Sequence, residues 1–105
     1  DTEQLTGYGA GGINIIVFTT GRGTPTGSAI VPTIKVATNT TMADAIPDLI
    51  DLNAGTIADG LKTLNDVGGE LFDLILEVAN GQLTKAEKGL HHEFSLSRMY
   101  NTVIR

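Results

Sequence analysis

The chain is 105 residues long, which is enough for one hydrophobic core and one domain spanning 1–105. Twelve acidic residues against seven basic ones leave a net charge of −5, which argues against nucleic acid or an anionic membrane as partner. It has no cysteine, which excludes a disulfide framework, a cysteine–zinc site and a cysteine nucleophile together.

The hydrophobic fraction, 41%, is that of an ordinary globular domain, so disorder is not expected. Aromatics are only 5% and glycines number 13, so the core is to be packed with small aliphatic side chains. The longest apolar run, INIIVF at 13–18, falls far short of the ~20 residues of a membrane helix. The chain opens at Asp1 with no initiator Met, basic leader or apolar signal core. That start reads as a processed chain or as a piece of a longer polypeptide, and the expected compartment is the cytoplasm. Asn39-Thr40-Thr41 fits a glycosylation sequon, but nothing else points to secretion and it is set aside.

In chain order, 2–10 predicts a short helix stopped by Gly11-Gly12. The β-branched run 13–18 predicts a strand covered on both faces and central in its sheet. Gly21, Gly23 and Gly27 then punctuate a loop that contains Pro25. A second strand is predicted at 33–38, where Ile34 and Val36 alternate with Thr33, Lys35 and Ala37. Pro32 before it suits a first strand position or an edge. A short helix at 42–46 ends at Pro47, and 49–52 forms a short strand or turn. The strongest helical pattern runs over 61–79, with Leu61, Leu64, Val67, Leu71, Leu74, Ile75 and Val78 on one face, and Asn80-Gly81 stops it. Gly68-Gly69 within it predicts a kink, a break or a close contact with the sheet. Phe94 and Leu96 alternate with Ser95 and Ser97, predicting a closing strand at 93–99. Strands interleaved with helices give a three-layer, Rossmann-like α/β domain with a mainly parallel sheet and flanking helices.

The loop FTTGRGTPTGS at 18–28 carries the densest chemistry. It leaves the end of a strand, where open α/β sheets place their ligands. Its glycines, Gly23 among them, allow close backbone approach. Thr19, Thr20, Thr24, Thr26 and Ser28 supply hydroxyls, and Arg22 supplies a planar fork for a carboxylate or phosphate. The spacing GxGxxxG matches neither the dinucleotide fingerprint nor a P-loop, so both nucleotide readings are rejected. A plain structural turn with a solvated Arg22 is the alternative. Lys35 is either an edge lysine reaching for solvent or a cation turned toward the site. Asn39 and Asp51 stand where strands end, to cap turns or to bind a polyol. His91-His92-Glu93 has no zincin spacing; in a strand its two imidazoles face opposite ways, so no metal site is assigned. His91 and His92 are the only candidates for acid–base catalysis, and the catalytic residues stay unassigned.

In order and spacing, FTTGRGTPTGSAIVPTIKVATN, then IDLNAG, then GGELFDLILEVANGQLTKAE resembles the C-terminal part of the altronate/galactarate dehydratase family. Sulfolactate sulfo-lyase large subunits are similar. The resemblance covers nearly the whole chain, from about Thr6 onward. It implies a hydro-lyase that removes water from a sugar acid to give a 2-keto-3-deoxy acid. It also implies help from a divalent metal, often iron, or manganese or magnesium, in a full-length enzyme whose His and Cys chemistry lies upstream; none is expected on this chain alone. The implied partners are a small sugar acid and the remaining domains of the same polypeptide, with a homo-oligomer allowed.

Dehydrating a polyhydroxy acid needs a base for the proton α to the carboxylate, a cation for the developing enediolate and an acid for the leaving hydroxyl. This chain offers carboxylate anchors (Arg22, Lys35) and polyol hydrogen-bonders (Thr20, Thr24, Thr26, Asn39). It therefore reads as one wall of an active site. The rival is a non-catalytic assembly domain. Convergence of Arg22, Lys35 and Asn39 favours the enzyme, and their dispersal favours the rival.

Overall fold

Parallel strands cannot be joined by a tight turn, so each pair needs a crossover. The computed structural model describes residues 2–92 and shows such a sheet. Three strands, β1 Ile16–Thr20, β2 Thr33–Ala37 and β3 Leu52–Asn53, pair in parallel in the order β1-β2-β3. Ile16 lies opposite Thr33, Thr20 opposite Ala37, and Val36 opposite Leu52. The helices are α1 Thr2–Ala10, α2 Thr40–Ala45, α3 Gly55–Ala58, α4 Leu64–Ala79 and α5 Lys85–Lys88, with a 3₁₀ turn at Pro47–Leu49.

The central strand is β2, and all five of its residues are buried. On one face Ile34 and Val36 pack with Val78, Leu71, Leu74 and Ile75 of α4, joined by Ile15 and Leu52. On the other, Ala37 packs with Met42, Ala43, Ile46 and Ile50. Leu5 of α1 packs on that same face with Ile16, Phe18 and Val31. Helices on both faces make the three layers expected. Each aliphatic side chain so buried contributes about 1.5–3 kcal/mol.

Four expectations need correction. The first strand begins at Ile16, not at 13, and forms an edge of the described sheet; Val17 is 40% and Ile13 46% exposed. It pairs with β2 on one side, and no described strand pairs with the other. The long helix begins at Leu64, because Thr63 caps it: its hydroxyl accepts from Asp66 N at 3.1 Å, and the Asp66 carboxylate accepts from Thr63 N at 3.0 Å. The hydrogen bond from Thr63 N, seconded by the Thr63 side chain, holds the Asp66 carboxyl below its ordinary 3.8. Leu61 and Leu64 are therefore exposed, leaving Val67, Leu71, Leu74, Ile75 and Val78 as the packed face. Gly68-Gly69 brings neither break nor close sheet contact: the helix is continuous, and nothing lies within 4 Å of where either Cβ would be. Finally, Lys35 is no edge lysine, since it is wholly buried in the central strand.

The second helix starts at Thr40, two residues before the expected 42, and the chain turns at Ile46 before Pro47. Asp51 ties the layers together. Its carboxylate accepts from Lys35 N at 2.8 Å and from Lys85 N at 2.9 Å, linking β2 to the start of α5. That helix, too, opens on a capping box, Thr84 with Glu87. The predicted strand at 93–99 lies outside the described residues. No described helix is long and apolar enough to cross a membrane.

Candidate functional site

Because all three strands run in parallel, Thr20, Ala37 and Asn53 end at one edge of the sheet. The loop after β1 is pinned there at three points. Gly23 N donates to Thr20 Oγ1 at 2.9 Å, and Thr38 N donates to Thr20 O at 3.0 Å. Asn39 Nδ2 donates to Gly21 O at 2.8 Å while its Oδ1 accepts from Met42 N at 2.8 Å. One amide thus caps α2 and holds the loop against it. Gly23 has φ +91°, and a Cβ there would lie 2.3 Å from Ile46 Cδ1. Held on both sides in this way, Arg22 is exposed at the loop tip.

A second group of polar residues continues along the edge from Asn39. Thr40 Oγ1 accepts from Asn53 Nδ2 at 3.1 Å and donates to the Asp59 carboxylate. Asn53 Oδ1 in turn accepts from Gly55 N at 2.8 Å. Gly55 sits against the Asn39–Thr40 backbone so closely that a Cβ would be 2.4 Å from Thr40 N. Asn53, Thr40 and Asp59 were not singled out from sequence. The signal that finds Asn53 is its place at the end of a parallel strand.

The remaining predicted residues separate. Thr24 and Thr26 pair their hydroxyls with each other at 2.9 Å, and Thr26 N donates to Thr24 Oγ1 at 3.2 Å. The loop then passes under α5, where a Cβ on Gly27 would be 2.8 Å from Ala86 Cβ and 2.5 Å from His91 O. His91 follows α5 in a turn, its N–H donating to Ala86 O at 3.0 Å, and His92 beside it is exposed; neither is in a strand. Lys35, 0% exposed, projects from the sheet face that this loop crosses and is not among the solvent-facing groups of the edge. The structure therefore brings together Thr20, Arg22, Gly23 and Asn39, with Thr40 and Asn53. It leaves Lys35 buried in β2, apart from them, and His91 beside Gly27.

Chemically, the edge offers one exposed guanidinium on a fixed backbone, bordered by hydroxyls and amides. That suits a carboxylate attached to a hydroxylated chain. Among the described residues, no group of three or more His, Cys, Asp or Glu side chains is placed to hold a metal ion.

Residues 1–102 match the family described as D-galactarate/altronate dehydratase, C-terminal. The chain is 49% identical over 97 residues to a galactarate dehydratase (L-threo-forming) of Escherichia coli strain K12, covering 90% of this chain and 18% of that protein. It is 46% identical over 87 residues to an altronate dehydratase of Bacillus subtilis strain 168, covering 83% and 17%. It is 32% identical over 100 residues to a (2R)-sulfolactate sulfo-lyase subunit beta of Chromohalobacter salexigens, covering 95% and 26%. The chain thus spans about a quarter or less of the length of these relatives.

Proposed function

The chain belongs to the D-galactarate/altronate dehydratase C-terminal family, and from that premise we propose that it serves as one wall of the active site of a sugar-acid hydro-lyase. The observation that carries the reading is the 49% identity to a galactarate dehydratase over 90% of the chain. The proposed substrate is a sugar acid of the galactarate or altronate kind, and the product a 2-keto-3-deoxy acid. The relative that acts on sulfolactate is less similar, at 32% identity. The remaining domains of the same polypeptide are the proposed partners, and the cytoplasm the proposed compartment.

In this reading Arg22 binds the substrate carboxylate through its two-pronged face, and the Gly21–Gly23 backbone fixes its approach. Thr20 at the end of β1 and Thr40 at the start of α2 meet the hydroxyls of the polyol chain. Binding the carboxylate beside a cation also stabilises negative charge that develops when the neighbouring C–H loses its proton. Asn39, with both ends of its amide already engaged, acts by holding the Arg22 loop. The donor set of the described residues does not fit the divalent metal that such enzymes imply, so no step is routed through one here. Lewis-acid chemistry and the base are assigned to the rest of the polypeptide.

The test is the purified full-length protein with galactarate, altronate and sulfolactate supplied separately. Formation of a 2-keto-3-deoxy acid from either sugar acid is expected, and none from the 105-residue chain alone. Sulfite release from sulfolactate without turnover of either sugar acid would overturn the assignment.

A further inference from the structure

The exposed edge of β1 conflicts with its sequence. Edge strands of soluble proteins are protected by lysine, proline, a bulge or short length. Residues 15–20, Ile-Ile-Val-Phe-Thr-Thr, contain no charge and no proline, and they are apolar on both faces in the manner of an interior parallel strand. Grooves of about 230 and 190 Å³ open along this edge. One is lined by Gln4, Leu5 and Tyr8 of α1 with Phe18, and the other by Tyr8 with Ile13, Ile15 and Val17.

The backbone is equally open. Ile16 N donates to Pro32 O, and Thr20 O accepts from Thr38 N, so Ile16, Phe18 and Thr20 direct their peptide groups toward β2. By alternation, the peptide groups of Val17 and Thr19 point away from the sheet.

We propose that this edge receives a further parallel strand, supplied by the polypeptide that leads into α1 in the full-length protein, so that β1 is an interior strand. The topology identifies the occupant. Nine helical residues climb about 13 Å, close to the ~16 Å length of a five-residue strand. α1 therefore has the reach of a crossover helix delivering the chain to the start of β1. It packs on the sheet face shared with α2, the crossover between β2 and β3. A strand placed at the free edge makes the crossover through α1 the same hand as that through α2. A strand placed beyond β3 makes the opposite hand, which parallel sheets avoid in about 98% of cases. The relatives provide the length, since the chain covers only 17% or 18% of the two dehydratases.

Amide hydrogen exchange on the full-length protein, read in overlapping fragments across 14–20, tests this without reference to activity or substrate. Val17 and Thr19 amides are expected to exchange as slowly as Phe18, roughly a hundredfold or more below the free-chain rate, and equally at high and tenfold lower protein concentration. Exchange of Val17 and Thr19 near the free-chain rate would overturn the proposal. Protection lost on dilution would also overturn it, by assigning the edge to a second copy of the protein. Val17→Lys in the same protein, which sets a charge on a face of β1 that the added strand buries further, is expected to lower the melting temperature and to speed exchange across 14–20. An unchanged melting temperature would count against the added strand.

Discussion

Substituting Gly23 by alanine probes the joint between the Arg22 loop and α2. Two costs are readable from the geometry. At φ +91°, a residue with a Cβ is strained by about 1–3 kcal/mol. The new Cβ would also lie 2.3 Å from Ile46 Cδ1 and 3.3 Å from Met42 Sδ. The first contact forces the end of a half-buried side chain to swing, at about 0.5–1.5 kcal/mol for an off-rotamer χ. Gly23→Ala should therefore destabilise by about 2–4 kcal/mol, a large share of the total for a domain of this size. Urea unfolding, with the midpoint shift read at constant slope, is the assay. Ile46→Ala separates the two costs. In the double mutant the clash disappears while the backbone strain remains, so a favourable coupling of about 0.5–1.5 kcal/mol is expected. A Gly23→Ala protein within about 0.5 kcal/mol of wild type would refute the strain argument. A cycle without coupling would refute the contact with Ile46.

Asp51→Ala removes the acceptor for two backbone donors at 2.8 and 2.9 Å, and should destabilise by about 1–3 kcal/mol per orphaned group in the same unfolding assay. Asp51→Asn, keeping one acceptor, should recover part of that loss. Gly69→Ala should stabilise by about 0.5–1 kcal/mol, because the position is helical and nothing crowds it; a loss of stability there would show an unseen contact. The Asp66 carboxyl is held below its ordinary value in the folded chain, chiefly by the Thr63 backbone N–H. Its stabilisation is therefore present above the unfolded value of 3.8 and is lost as pH falls through the lower folded value. The stability gap between wild type and Asp66→Ala should be constant near neutrality and close in acid; a gap that persists in strong acid would contradict the capping role.

Local rules read well from this sequence where the residues themselves enforce them. The packed face of α4 follows from Val67, Leu71, Leu74, Ile75 and Val78, and its C-terminal stop from Asn80-Gly81. Its start was misread because Leu61 and Leu64 continue the apolar period although the Thr63–Asp66 box begins the helix inside it. The same signal, Thr84 with Glu87, marks α5 and could have found it. Position in the sheet was not readable. The apolar run at 13–18 specifies a strand with two covered faces, and the described residues supply the covering for one side of its ladder only. The site was legible in part. The glycine loop after β1 groups Thr20, Arg22 and Gly23 in the sequence, and the structure sets them with Asn39 at one edge of the sheet. The clasp between Asn39 and Gly21 spans 18 residues, and the bridge from Asp51 to Lys85 spans 34, and no local pattern encodes such partners. Lys35 is buried because β2 is the central strand, a position that no local pattern encodes.

The central claim is that the loop at the C-terminal edge of the sheet binds the substrate carboxylate through Arg22. Steady-state kinetics of Arg22→Ala and Arg22→Lys in the full-length protein, with folding checked by thermal melt, tests it most directly. A charge-assisted hydrogen bond contributes about 1.5–3 kcal/mol, which predicts a loss of about 10- to 150-fold in kcat/KM for Arg22→Ala. Lysine offers no two-pronged contact and should not restore it. A folded Arg22→Ala enzyme within about threefold of wild type in kcat/KM would contradict the account.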